Sequence, residues 1–140
     1  MAARPLSQVS VGDDIGPVTV PVSRETLVAY AAASLDQNPI HQDEDFARSV
    51  GLPDVIAHGM WTMGAAGTVV SDWAGDAGRV VEFGTRFTKP VVVPASGAEV
   101  VVQGVVKAVE EETGRVTVEL TTTSAGEKVL GRCVAVVRLD

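Results

Sequence analysis

The sequence predicts an α+β fold in which a single curved antiparallel sheet wraps around a long central helix. Three observations carry that expectation. From Arg79 onward apolar residues recur with a period of two, the signature of half-buried strands. From His58 to about Asp72 the chain is apolar nearly all round, the mark of a helix covered on every side. No linker, repeat or low-complexity run separates the two regions, so the helix is expected to pack on the concave face of the sheet. The 140 residues, 46% hydrophobic and 21% charged, suit one globular domain spanning residues 1–140 and exclude a disordered chain.

The elements follow in order. Turn formers at Gly12-Asp13-Asp14 and Gly16-Pro17 precede Val18, Val20 and Val22, which alternate with Thr19 and Pro21 as one short strand. Ser23 is a good N-cap for a helix over Arg24 to Ala33, with Leu27, Tyr30 and Ala31 on one face. Ser34 to His41 is dense in turn residues, and Pro39 pushes Asn38 out of the helical region, so this segment reads as a loop. A short helix over Asp43 to Ser49 has acidic residues in its first turn and Gly51 beyond its end. In the long helix, Gly59, Gly64 and Gly67 each cost roughly 1 kcal/mol of helix propensity relative to Ala. Something is therefore expected to approach that backbone closely, either the wrapped sheet or a ligand.

Four strands complete the chain. Val81, Phe83, Thr85 and Phe87 alternate with Glu82, Gly84, Arg86 and Thr88. Val100, Val102, Val106 and Ala108 are placed on one face, and Glu111-Glu-Thr-Gly114 makes a hairpin turn. Val116, Val118 and Leu120 then alternate with polar residues, and Val129, Cys133, Ala135, Val137 and Leu139 carry the last strand. Runs such as Val100-Val101-Val102 place apolar residues on both faces of the sheet, more than one layer around one helix can cover, which predicts a dimer.

Composition removes several functions. Eleven basic against eighteen acidic residues give a net charge of −7 with no basic cluster, so nucleic acid is not an expected partner. The stretch from Ala57 to Ala74 is interrupted by His58, Thr62, Ser71 and Asp72, which argues against a membrane span. A lone Cys133 and an opening without a leader pattern make the cytoplasm the expected location. His41 and His58 stand in no metal-ligand spacing, so no metal site is expected. There is no G-x-S-x-G elbow, G-x-G-x-x-G turn or Walker loop, and Cys133 within a strand reads as core.

What remains is Asp36 and His41 in one loop, followed by His58-Gly59 at the start of the buried helix. A loop bent around Pro39 allows a carboxylate and an imidazole to converge as proton donor and acceptor. Gly59 falls in the first helical turn, where unpaired N–H groups at the positive end of the dipole suit a developing oxyanion.

These residues resemble a known family. Tyr30-Ala-Ala-Ala-Ser34-Leu-Asp36-Gln-Asn38-Pro39-Ile40-His41-Gln-Asp43, Gly51-Leu52, Ile56-Ala57-His58-Gly59-Met60 and Arg86-Phe87-Thr88-Lys89-Pro90-Val91 together look like the signature of MaoC-like (R)-specific enoyl hydratases and dehydratases. The His58-Gly-Met-Trp-Thr-Met-Gly64 stretch and Leu130-Gly131-Arg132 are most similar to the catalytic B subunits of actinobacterial (3R)-hydroxyacyl-ACP dehydratases. The resemblance implies a hotdog fold, with Asp36 and His41 as catalytic pair, the Gly59 N–H on the thioester oxygen, and Asn38 as a substrate or water contact. Many CoA-type hydratases of the family carry serine where this chain has Gly67.

The implied reaction removes water from a 3-hydroxyacyl thioester, or adds it to an enoyl thioester, on a pantetheine arm of acyl-carrier protein or CoA. His41 is assigned the C2 proton and Asp36 the hydroxyl, although the residues also allow the reverse; no cofactor is required. Arg86 and Lys89 are expected to receive the phosphate-bearing carrier, because an acidic chain needs local positive charge to steer it. The expected assembly is a homodimer or a heterodimer with a homologous hotdog subunit. A hotdog thioesterase and a non-catalytic partner subunit are the alternative readings.

Overall fold

The computed structural model describes residues 2–140. Its elements are strand β1 (Asp14–Val22), helix α1 (Arg24–Ser34), a 3-10 turn (Pro39–His41), α2 (Glu44–Ser49), α3 (Gly59–Ala74), β2 (Val80–Phe87), β3 (Ala98–Glu110), β4 (Arg115–Ser124) and β5 (Glu127–Arg138). The five strands form one antiparallel sheet in the order β1-β3-β4-β5-β2. The two strands flanking the helices in sequence therefore become the sheet's edges.

Local chemistry explains the helix boundaries. Ser23 accepts from the Thr26 N–H and Thr26 bonds back to the Ser23 N–H, a reciprocal cap that starts α1. Asp43 caps α2 through the Phe46 N–H. α3 ends at Gly75, whose φ of 82° lies in the left-handed region that glycine reaches without strain. Arg24 ties these pieces together: it donates to Glu44 (2.9 Å), to Asp54 (2.7 Å) and to the Val93 carbonyl (3.3 Å).

The core lies between α3 and the sheet. Ala66, Val69, Val70 and Ala74 of α3 share one cluster with Val100, Val102, Val116, Val118, Leu120, Leu130, Cys133, Ala135 and Val137. Leu27 and Ala31 bury the inner face of α1 as expected, with Tyr30 half-buried beside them. This is the α+β layout that the two periods predict.

Gly16-Pro17, read as a turn ahead of the first strand, lies inside β1 at a register shift, and four further details differ from the sequence reading. The β3–β4 register shifts between Val106 and Ala108, which turns Ala108 outward and puts Val109 against the core. A similar shift at the start of β2 directs Val80 inward and leaves Val81 exposed. The loop before α2 contains the 3-10 turn, with Pro39 at its first position. Finally, α3 is not covered on every side: Met60 is 59% exposed and Gly64 and Thr68 are also open to solvent. The glycines divide accordingly. A Cβ on Gly59 would lie 3.1 Å from the Phe87 ring and one on Gly67 3.0 Å from the Phe83 ring, whereas one on Gly64 would meet nothing within 4 Å. Close approach explains two of the three, and β2 is what approaches. Among the described residues no helix is long and apolar enough to cross a membrane.

Candidate active site

The loop leaving α1 turns sharply at Leu35, whose φ of 66° is left-handed. Short polar side chains then hold the turn together. The Asp36 N–H donates to Ser34 Oγ, the Asn38 N–H donates to Asp36 Oδ1, and the Ile40 N–H donates to Asn38 Oδ1. These bonds lead into the 3-10 turn, which carries His41 inward. His41 is 6% exposed, while the Asp36 side chain remains 52% exposed.

His41 and Asp36 meet across the loop, with His41 Nε2 lying 3.9 Å from Asp36 Oδ2. That separation is too long for a direct hydrogen bond and leaves one oxygen atom room to contact both. The other ring nitrogen is committed, because His41 Nδ1 stands 2.7 Å from the Ile56 carbonyl. A carbonyl only accepts, so Nδ1 carries the proton and neutral His41 presents a lone pair at Nε2. Burial holds the imidazole below its ordinary pKa; the neighbouring His58 adds to this, while the Ile56 bond and the Asp36 carboxylate oppose it. Nε2 is therefore a free base near neutral pH.

His58 lies beneath this pair. Its ring stacks on His41 with centroids 3.7 Å apart and planes 21° from parallel, and its Nε2 is 3.1 Å from the Asp36 carbonyl. Asp36, His41 and His58 each offer a potential ligand atom within 4.8 Å of the others, a grouping that spacing alone did not suggest. Each imidazole spends one nitrogen on a backbone carbonyl, which orients its ring and leaves the other nitrogen open. That arrangement suits positioned proton transfer.

A cleft of about 400 Å³ opens beside the pair, and its walls include His41, Gly59, Thr62, Phe87, Lys89 and Leu130. Gly59 heads α3, where the first N–H groups have no acceptor within the helix. Phe87, 55% exposed on the edge strand, covers the spot that a side chain at position 59 would occupy.

The structure brings His41, Gly59 and Lys89 together on the cleft wall and holds Asp36 outside it, 3.9 Å from His41, but treats two other expected residues differently. The Asn38 carbonyl oxygen is used to cap the 3-10 turn, and Asn38 is not part of the cleft wall. Arg86 lies exposed on β2 and also stays outside that wall. Lys89 is paired with Glu127 at 2.6 Å, which holds the Glu127 carboxyl below its usual range. Two participants were missed from sequence. The Ile56 carbonyl is a main-chain group without a residue-type signal, and the covering role of Phe87 depends on how the edge strand lies over α3.

Comparison with known proteins gives a consistent picture. Residues 7–125 match the family described as MaoC like domain. A 3-hydroxyacyl-thioester dehydratase X of Mycobacterium tuberculosis is 41% identical over 75 residues, covering 54% of this chain and 26% of its own length. A solved MaoC-like dehydratase superposes with a TM-score of 0.96 at 38% identity, over 99% of this chain and 43% of that one. An (R)-hydratase from A. caviae involved in PHA biosynthesis gives a TM-score of 0.84 at 25% identity, over 95% of this chain and 98% of that one. This chain thus spans about a quarter of the first relative's length and less than half of the first structure's.

Proposed function

The chain belongs to the MaoC-like domain family, and from that premise we propose that it interconverts (3R)-hydroxyacyl and trans-2-enoyl thioesters carried on a pantetheine arm, as a hydro-lyase of fatty-acid metabolism. The observation that carries the reading is the free Nε2 of His41, 3.9 Å from the Asp36 carboxylate and on the same cleft as Gly59.

In the dehydration direction the thioester carbonyl oxygen accepts a hydrogen bond from the Gly59 N–H, which stabilises enolate character there. His41 Nε2 takes the C2 proton, the released electron pair forms the C2–C3 double bond, and the C3–O bond breaks. The leaving hydroxyl sits between Nε2 and Asp36 Oδ2, takes a proton from Asp36 in its carboxylic acid form and departs as water, leaving an Asp36 carboxylate and a protonated His41 that reset by returning the proton across the pair. Hydration reverses each step: the Asp36 carboxylate takes a proton from water as its oxygen attacks C3, and protonated His41 returns a proton to C2. None of these steps requires a cofactor.

Lys89, at the cleft wall, would meet the phosphates of CoA or of an acyl-carrier protein's pantetheine arm, with Arg86 on the neighbouring edge strand as a second, outer contact; its position on the cleft supports this reading. The open β2 edge supports a dimer, with a second copy or a homologous subunit. The lone buried Cys133 fits a reducing, cytoplasmic setting.

The test is hydration of a trans-2-enoyl thioester series, with free thiol measured in parallel. The expected result is hydration without thiol release, and a loss of about 10²-fold or more in Asp36→Asn and in His41→Gln. Thiol release without hydration would instead identify a thioesterase. Near wild-type hydration in both folded variants would show that this pair does not carry the reaction, and neither hydration nor thiol release in the wild type would point to a non-catalytic partner subunit.

A further inference from the structure

His58 occupies a place where the local rules favour another residue. It is the N-cap of α3, yet its side chain makes no capping bond, which Ser, Thr, Asp or Asn would supply. It is 1% exposed, and its Nδ1 is buried with no hydrogen-bond partner among the described residues. A missing cap and an orphaned polar atom both disfavour the fold. What the ring does make is contact with both members of the reacting pair: its face stacks on His41 at 3.7 Å, and its Nε2 is 3.1 Å from the Asp36 carbonyl. The Tyr30 ring also leans against it, with centroids 4.8 Å apart and planes at 59°.

We propose that His58 is a positioning residue for the Asp36–His41 pair, holding the Asp36 main chain through Nε2–H and setting the plane of the His41 imidazole through its ring face. The assignment rests on the reading of that pair given above. The chemistry selects histidine. The Asp36 carbonyl needs a donor, the His41 ring needs a flat neighbour, and the N-terminus of α3 leaves space for a five-membered ring under a loop. Gln can supply the donor without the face, and Phe the face without the donor. Because the carbonyl only accepts, neutral His58 must hold its proton on Nε2, which leaves Nδ1 as the unpaired acceptor observed. One side chain thus fixes the two distances that matter, from Nε2 of His41 to the substrate and from His41 to the carboxylate.

Two measurements test this, and neither stands on activity alone. The first is the imidazole nitrogen NMR spectrum of the wild-type protein, with His58 expected as the Nε2–H tautomer. A neutral Nδ1–H tautomer overturns the proposal with no variant needed. The second compares His58→Phe and His58→Gln, both by enoyl-thioester kinetics and by NMR titration of His41. Each variant is expected to lose roughly 10- to 100-fold in kcat with KM little changed, the scale of a sub-ångström to 1 Å misplacement. In both variants the His41 titration is expected to move up toward the ordinary histidine range, since the imidazole whose positive charge helps lower it is gone. Folded variants with kcat within about twofold of wild type and an unmoved His41 titration overturn the proposal. If the wild-type protein hydrates no thioester, the reaction assignment fails. The tautomer and the His41 titration then still decide whether His58 positions the pair.

Discussion

Replacing Gly64 and Gly67 of α3 separately by alanine separates propensity from packing on a single helix. Both positions are helix interior, so each substitution gains about 0.8–1 kcal/mol of helix propensity, part of it through the lower entropy of the unfolded chain. At position 64 nothing opposes the gain, because a Cβ there meets no atom within 4 Å. Gly64→Ala is therefore expected to raise stability by nearly the full amount, or roughly 2–4 °C in Tm for a chain of this size. At position 67 the new Cβ would stand 3.0 Å from Phe83 Cε2 and 3.4 Å from Cδ2. The ring must retreat by a few tenths of an ångström, and overpacking of that kind costs about 1–3 kcal/mol. Phe83 is on an edge strand paired only with β5, so part of that strain relaxes. Gly67→Ala should then range from neutral to about 2 kcal/mol destabilised, at least roughly 1 kcal/mol below the Gly64 variant. Urea unfolding at fixed protein concentration, with m compared as well as the midpoint, measures both. A Gly64→Ala protein less stable than wild type at unchanged m would refute the reasoning, by showing that the open face of α3 is filled in solution.

Four further outcomes are expected. The dehydration rate should fall on acidification with a midpoint below the ordinary histidine value, because burial lowers the His41 pKa and the reaction needs its neutral form; a midpoint at or above that value excludes His41 as the base. The same shift sets a stability trend: the unfolded chain binds the His41 proton at higher pH than the folded one, so stability should rise with pH through that window and decline as pH falls through it. Lys89→Ala should raise KM for carrier-borne thioesters and flatten its salt dependence, while Glu127→Gln, which frees Lys89, should lower KM; no change in either removes Lys89 from carrier binding. Light scattering at micromolar concentration should give a dimer, and a monomer would contradict the reading of the β2 edge.

How far the sequence reaches depends on whether a feature is written in residue type. Ser23 announces the start of α1 because capping uses the side chain at a single position, whereas Asp43, expected as the first residue of α2, is its cap instead. The β4 alternation of Val116, Val118 and Leu120 holds without interruption, and all three are buried. Alternation fails where the pairing register shifts, at Val80 and at Ala108, because one extra residue exchanges the faces and leaves no composition signal. An all-apolar helix also reads the same whether its last face is covered by its own chain or left open, as it is at Met60. In the site, Asp36, His41 and Gly59 stand out as chemistry-bearing types in a short span. The Ile56 carbonyl and the stacking of His58 do not, because they arise only when the loop folds back on the start of α3.

That fold-back has a price recorded at Leu35. A leucine at φ 66° carries the roughly 1–2 kcal/mol penalty of left-handed backbone, and its side chain is 83% exposed, so packing recovers little of it. What the conformation provides is direction. It ends α1 abruptly and sends the chain back across the N-terminus of α3, where the Asp36 carbonyl meets His58. The opposing anchor is the Arg24 cluster, which joins the start of α1 to α2 and to Asp54, just ahead of Ile56. The exposed turn bearing Asp36 is thus held from one end by a buried ring and from the other by ion pairs, and His41 hangs between them on the Ile56 carbonyl. A carboxylate half in solvent can keep a fixed distance from a buried imidazole only with such supports, since the loop's own Asx bonds fix its shape but not its placement on the helix.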